Sequence, residues 1–302
     1  MSRWSFGEIT VDRVVEQEQP LLAPAVLYPS STPAEWEAHR SWLEPTLLDP
    51  VTGQLVMSIH SFVIRTRHHT IVVDTCGGND KPRPQKPRYH MNRHPYLERL
   101  AAVGVTPESV DFVVFTHLHV DHVGWNTRLV DGRWVPTFPR ARYLIPRVEW
   151  DFWREEYTRS AFTDDPYYED SLLPVLASGQ ADFVDRDHAI DDGVRLAPLP
   201  GHTPGHVAVQ LAGGGREGIM SGDLMHHPVQ CAQPDWNSCF CVDATQARAT
   251  RRAFLERYAD TDTLVMTAHF RTPGAGRIER HGTAWRFAFD GAAVTTARSD
   301  GS

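Results

Sequence analysis

The run His117-Leu118-His119-Val120-Asp121-His122 constrains the fold of this chain more than any other stretch. It packs three imidazoles and a carboxylate into one short segment. It follows directly on Phe112-Val113-Val114-Phe115, an apolar run that reads as a buried strand. Residues just past a strand end lie on loops that a rigid scaffold aims at a point. A fold that uses this run therefore needs strand ends that converge.

The same arrangement recurs downstream. Asp223 follows the strand-like Gly218-Ile219-Met220, and His269 follows Leu264-Val265-Met266. His206 closes Pro200-Gly201-His202-Thr203-Pro204-Gly205-His206 and opens the apolar Val207-Ala208-Val209. Five histidines (117, 119, 122, 206 and 269) and two aspartates (121 and 223) thus stand at strand ends. Imidazole and carboxylate suit Zn²⁺, with Fe, Mn or Co as alternatives, whereas a thiolate site selects softer ions. Seven ligands exceed what one tetrahedral ion accepts, so two divalent ions per chain are expected, with a carboxylate bridging them.

Strand and helix signals alternate along the rest of the chain. Residues 8–14 alternate like a strand. Residues 54–66 and 70–74 read as a hairpin around Arg67-His68-His69. Pro95 starts a helix that Gly104 ends. Further strands are read at residues 142–145, 183–184 and 194–196, and a final pair at 277–279 and 285–289. Residues 149–157 form an aromatic helix, and Asp243-Ala244-Thr245-Gln246 caps one with Ala247, Thr250, Phe254 and Tyr258 on a single face. Residues from about 15 to 50 read as an irregular covering segment with a short helix near residues 33–37, and residues 76–94 as a loop. The end of the chain, from Thr295, reads as frayed. No linker interrupts this pattern, so residues 1–302 are expected to form one α/β domain of layered sheets.

Bulk properties narrow the partners. A net charge of −8 argues against a nucleic-acid binder and is compatible with a neutral or cationic small substrate. No apolar stretch is long enough for a bilayer, and the N-terminal residues lack a signal-peptide core, so the reading is a cytoplasmic protein with no membrane partner. The cysteines 76, 231, 239 and 241 read as free thiols, the last two as ordinary buried ones. A homodimer is compatible with the sequence, though no residue argues for it.

These motifs resemble those of the metallo-β-lactamase superfamily. HLHVDH matches its HxHxDH motif. PGHTPGH, the SGD around Asp223 and the AHF around His269 match later motifs in order, and Val73-Asp74-Thr75 looks like the early one. The resemblance covers roughly residues 55 to 290. It implies a four-layer αββα sandwich. It also implies one metal on His117, His119 and His206, a second on Asp121, His122 and His269, and Asp223 as the bridge. The implied chemistry is hydrolysis of a small ester-like substrate by a metal-bridging hydroxide, with lactone opening as first guess and Asp121 relaying the proton. Arylesterase and phosphotriesterase activity are the close alternatives. The second class is a mononuclear iron sulfur dioxygenase, and the third a regulatory protein without turnover.

His226 departs from the lactonase pattern, in which a tyrosine stands three residues after the bridging aspartate. The GDL-x-H form here is similar to the methyl parathion hydrolase-like branch, and His226 is a catalytic candidate that orients substrate or protonates a leaving alkoxide. His202 reads as holding its turn by hydrogen bonding, and His227 as solvent-exposed. Asp74 either orients a ligand histidine or satisfies a strand end. Histidines 60, 68, 69, 90 and 94 have no spacing that demands a metal. The basic stretch from Lys81 to Arg93 reads as a solvated loop with a pocket-wall role open, and Trp125 as core or pocket lining.

Overall fold

The computed structural model describes residues 2–160 and 166–291. The fraying expected from Thr295 lies outside the described residues. Two seven-stranded sheets carry the chain. The first holds, in spatial order, β1 (Arg3–Phe6), β2 (Ile9–Leu22), β3 (Leu55–Arg65), β4 (Thr70–Val73), β5 (Phe112–Val114), β8 (Arg142–Pro146) and β9 (Ala181–Val184). A separate hairpin pairs β6 (Thr127–Val130) with β7 (Arg133–Pro136). The second sheet runs in chain order through β10 (Ala189–Asp191), β11 (Val194–Pro198), β12 (Val207–Gly213), β13 (Arg216–Met220), β14 (Leu264–Met266), β15 (Ala275–His281) and β16 (Ala284–Phe289). The α-helices are α1 (Pro24–Leu27), α2 (Pro33–Leu43), α3 (Tyr96–Ala102), α4 (Arg147–Ser160), α5 (Leu173–Ala177), α6 (Val229–Ala232) and α7 (Ala244–Tyr258).

The two-residue period of a strand builds the layers. Ile71, Val73 and Val114 of the first sheet pack with Val209, Met220, Leu264 and Met266 of the second, forming the core between the sheets. Val72 and Val113 point the other way, onto Tyr96 and Leu100 of α3. Val265 and Ile219 point outward from the second sheet onto Phe254 and Leu255 of α7. Both faces of each central strand are buried, which explains why these segments read as continuous apolar runs. The result is the αββα order of layers.

Parallel pairing positions the site. β4, β5, β8 and β9 pair in parallel, as do β13 and β14. Asp74, the His117–His122 run, Asp223 and His269 all follow carboxyl ends of these strands, where open sheets place ligands.

The N-terminal reading needs correction. β2 does not stop at residue 14 but pairs with β3 as far as Leu22, with register shifts after Val15 and after Pro20. The polar stretch Glu16-Gln17-Glu18-Gln19 hides the strand because bulges break its alternation. The short helix expected near residues 33–37 extends to Leu43, opened by a reciprocal Thr32–Glu35 capping box. Leu27, Tyr28, Trp36 and Leu43 of this cover pack with Val229 and Trp236.

Candidate metal centre

The His117–His122 run leaves β5 through Thr116, whose N–H and hydroxyl both donate to Asp74 at 2.8 Å. Asp74 Oδ2 also lies 2.9 Å from His122 Nδ1. Asp74 therefore ties off the strand end and orients His122, so both of its anticipated roles are present. The backbone of Asp74 is left-handed, with φ 56°, a conformation that turns the chain sharply after β4.

Three imidazole nitrogens meet at one point. His117 Nε2 lies 3.0 Å from His119 Nδ1, and His202 Nε2 lies 2.9 Å from His119 Nδ1 and 3.2 Å from His117 Nε2. Ligands about 2.0–2.1 Å from a tetrahedral ion stand about 3.3 Å apart, so this triangle has the dimensions of a metal-binding face. Asp223 completes the group, with Oδ2 3.4 Å from His202 Nε2 and 3.7 Å from His117 Nε2.

A second group of Asp121, His122 and His269 adjoins it. Asp223 Oδ1 lies 3.3 Å from His122 Nε2 and 3.0 Å from His269 Nε2. Asp223 thus sits between the two groups. A third grouping adds His226, whose Nε2 is 3.3 Å from Asp223 Oδ2.

The residues fit a pair of cations. Among the described residues, His122 Nε2 and Asp223 Oδ1 are buried without a well-aligned hydrogen bond despite these short approaches, which buried polar atoms rarely tolerate. Burial holds His117 and His202 well below the ordinary imidazole range and brings His119 to about 3. These rings are neutral, the form that ligates metal. At His122 and His269 burial also lowers the pKa, but the charge and hydrogen bond of Asp223, together with Asp74 at His122 and Asp121 at His269, outweigh it, and the net shift is upward. The carboxylates therefore draw positive charge into this centre.

The structure turns His206 away from the cluster. Its Nδ1 donates to Leu199 O at 2.9 Å and its Nε2 accepts the Asp223 N–H at 3.0 Å. The expectation that His206 joins His117 and His119 does not match this geometry; His202 stands there instead. His206 supports the backbone of Asp223. Gly222 makes that possible: its φ is 51°, and a Cβ there would meet His206 Nε2 at 2.5 Å.

Glu149 escaped the sequence reading. Its Oε1 accepts from Leu118 N at 3.0 Å, and its Oε2 from Thr203 Oγ1 at 2.7 Å and Gly205 N at 3.0 Å. One buried carboxylate on α4 thereby ties the His117 loop to the His202 turn. Glu16 plays the matching part for the second group, accepting from Gly77 N, Gly78 N and Trp125 Nε1. Its position after a strand-like run gave no signal, because its partners are 61 to 109 residues away.

Other expectations change. His227 is buried, with Nε2 3.0 Å from Leu47 O. Lys81 and Arg83 are buried too: Arg83 forms a two-pronged pair with Asp170 at 2.6 and 2.7 Å, and Lys81 Nζ donates to Thr127 Oγ1 at 2.6 Å. The basic loop is anchored rather than solvated, and Tyr89 from it donates to Asp121 Oδ2 at 2.7 Å. Trp125 belongs to the core, stacked on Tyr96. All four cysteines are free, but Cys239 is exposed and Cys241 half-buried, 3.7 Å from His202 Nδ1. His60 is buried between Arg13 and Thr267 O and is in none of the three ligand groups.

A cavity of about 240 Å³ opens onto Asp121, Asp223, His226 and His269. Leu21, Met57, Ile59, Trp153, Tyr167 and Phe240 give it largely apolar walls. The aromatic helix therefore lends Trp153 to the pocket.

An αββα sandwich with clustered imidazoles and carboxylates at one sheet edge defines a class of metal-binding protein. Within that class, the family model described as the metallo-beta-lactamase superfamily matches residues 56–269, and the chain belongs to that superfamily. An N-acyl homoserine lactonase of a Bacillus species is 30% identical over 112 residues, 37% of each chain. The N-acyl homoserine lactonase AttM of Agrobacterium fabrum is 29% identical over 117 residues, 36% of this chain and 39% of the relative. These matches thus span little more than a third of the relatives' length. Among solved structures, a hydrolase named AbOPH superposes with a TM-score of 0.78 at 22% identity, covering 95% of this chain and 96% of the other. The dizinc quorum-quenching lactonase AidC superposes with a TM-score of 0.74 at 22% identity, covering 96% and 97%. At that identity the likeness establishes the fold.

Proposed function

We propose that this chain is a dinuclear metal-dependent hydrolase of small ester-like substrates, with lactones as the first class to test. The observation that carries this reading is Asp223, buried between two groups of imidazoles, with Oδ2 toward His202 and His117 and Oδ1 toward His122 and His269. His117, His119 and His202 would hold one divalent ion, and Asp121, His122 and His269 the other, with Asp223 shared. Zinc suits these donors, as do iron, manganese and cobalt. Such a pair, when bound, supplies a water acidified to near neutrality and a Lewis acid for a carbonyl or phosphoryl oxygen.

The chain's own residues do the rest. Tyr89 holds Asp121 through Oδ2, fixing that carboxylate as a proton acceptor at the pocket floor. The apolar walls exclude bulk water, which strengthens every charge interaction inside. His226 faces the same cavity with Nε2 near Asp223 and Ser238, and burial lowers its pKa. A neutral imidazole there orients substrate rather than supplying a strongly acidic proton. The names of the matched relatives support lactones as first choice, and aryl esters and phosphotriesters remain in the panel. The presence of two ligand groups disfavours a mononuclear iron dioxygenase. No helix among the described residues is long and apolar enough to cross a membrane.

The test is a substrate panel on metal-reconstituted protein: acyl-homoserine lactones, simple lactones, nitrophenyl esters and a paraoxon-like triester. Turnover of at least one class is expected. Oxygen uptake with a persulfide, together with silence on all esters, overturns the proposal.

A further inference from the structure

Away from the carboxylates that face the imidazoles, the pocket wall is cationic, although the chain is acidic overall. The sequence carries −8 overall, yet among the described residues the charged side chains lining the cavity outside the imidazole and carboxylate cluster are Lys86 and Arg88, both cationic. The lining carboxylates, Asp121 and Asp223, face the imidazoles and are the ones that would meet metal.

Arg88 is held in place. Its guanidinium lies 5.2 Å from the Tyr89 ring centroid and 5.8 Å from that of Phe240, and both rings line the cavity. Cation–π contact with two rings restrains a planar cation against the wall. Its charge and a hydrogen bond reach the Tyr89 hydroxyl. Arg88 as a whole is half-buried on this wall. Lys86 adds a second positive charge nearby, with Nζ 5.8 Å from the Tyr167 ring and its field acting on His119. A fixed guanidinium matches the geometry of a carboxylate.

We propose that the pocket selects ester-like substrates bearing a carboxylate away from the scissile bond, bound by Arg88 with Lys86 beside it. This inference rests on the ester-hydrolase reading above. Hydrolysis of such a half-ester breaks the acyl C–O bond and adds water across it, releasing a dicarboxylate and an alcohol.

The test uses the full chain, metal-reconstituted, with mono-4-nitrophenyl adipate and the neutral 4-nitrophenyl hexanoate. We expect kcat/KM for the anionic ester to exceed that for the neutral one by about tenfold or more, the scale of one charged hydrogen bond. Arg88→Gln should bring that ratio down by about tenfold, and Lys86→Met should reduce it less. A wild-type ratio of one or below, or a ratio that neither substitution moves, overturns the proposal. Binding of adipic acid monoamide, an anion, against the neutral hexanamide, measured by calorimetry, separates the two readings. If neither ester is cleaved but the monoamide binds about tenfold more tightly and Arg88→Gln removes the preference, the hydrolase reading fails and the anion site stands. Equal binding of the two amides sinks the anion site whatever the activity.

Discussion

His202 Nε2 lies 2.9 Å from His119 Nδ1, placed to share a metal ion with it, while His206 four residues on faces the Asp223 backbone. The two histidines of one turn therefore carry different duties. His202→Ala is expected to remove one metal per chain and lower kcat/KM by more than about 100-fold, beyond the usual effect of losing an outer partner. His206→Ala should keep metal binding while costing roughly 2–4 kcal/mol of stability, from two lost hydrogen bonds and a void. Metal analysis of the two variants decides; the reverse pattern would return His206 to the ligand set.

Asp74 orients His122 through Nδ1 at 2.9 Å. Asp74→Asn keeps the shape but weakens the acceptor. Affinity for the second metal should fall about 10–100-fold, as it does when such outer partners are removed. Competition with a chelator reads this directly. Unchanged affinity would mean that Asp74 serves only the strand end.

Tyr89 donates to Asp121 Oδ2 at 2.7 Å. Removing a hydrogen bond to a buried carboxylate costs about 1.5–3 kcal/mol, so Tyr89→Phe is expected to slow turnover by roughly 10–100-fold with metal content intact. A variant as fast as the parent would remove Tyr89 from the account.

Much of this centre was legible in the sequence, and the reasons differ by residue. His117, His119, Asp121 and His122 are local to one loop, so their spacing alone brings them together. Asp223 and His269 were legible because apolar runs announce the parallel strands they follow. The choice between His202 and His206 was not. They flank the same Thr203-Pro204-Gly205 turn and are chemically alike. Only the long-range ties of Glu149 to Gly205 and of His206 to Asp223 N distinguish them. The burial of Lys81 and Arg83 was hidden for a similar reason: their counter-charge, Asp170, is 87 residues from Arg83. Local composition reads any such stretch as solvated.

Glu16 gives a pH signature. Burial raises its pKa from 4.5 to about 7, despite three hydrogen bonds that oppose the shift. Between those values the folded chain keeps a proton that the unfolded chain has lost. The contribution to stability is therefore full below about 4.5 and is lost as pH rises through about 7. Melting temperatures of wild type and Glu16→Gln from pH 5 to 8 test it. The wild-type advantage should shrink as pH rises and level off above 7; a constant difference means that Glu16 stays ionised in the fold.

The central claim is that Asp223 joins two metal groups that together hydrolyse an ester-like bond. The most direct measurement is metal stoichiometry by elemental analysis, followed in parallel with hydrolytic rate as zinc is returned to chelator-stripped protein. Activity should rise with metal and saturate near two ions per chain, and Asp223→Ala should lose both. Full hydrolytic activity in metal-free protein, or saturation at a single ion, would contradict the account.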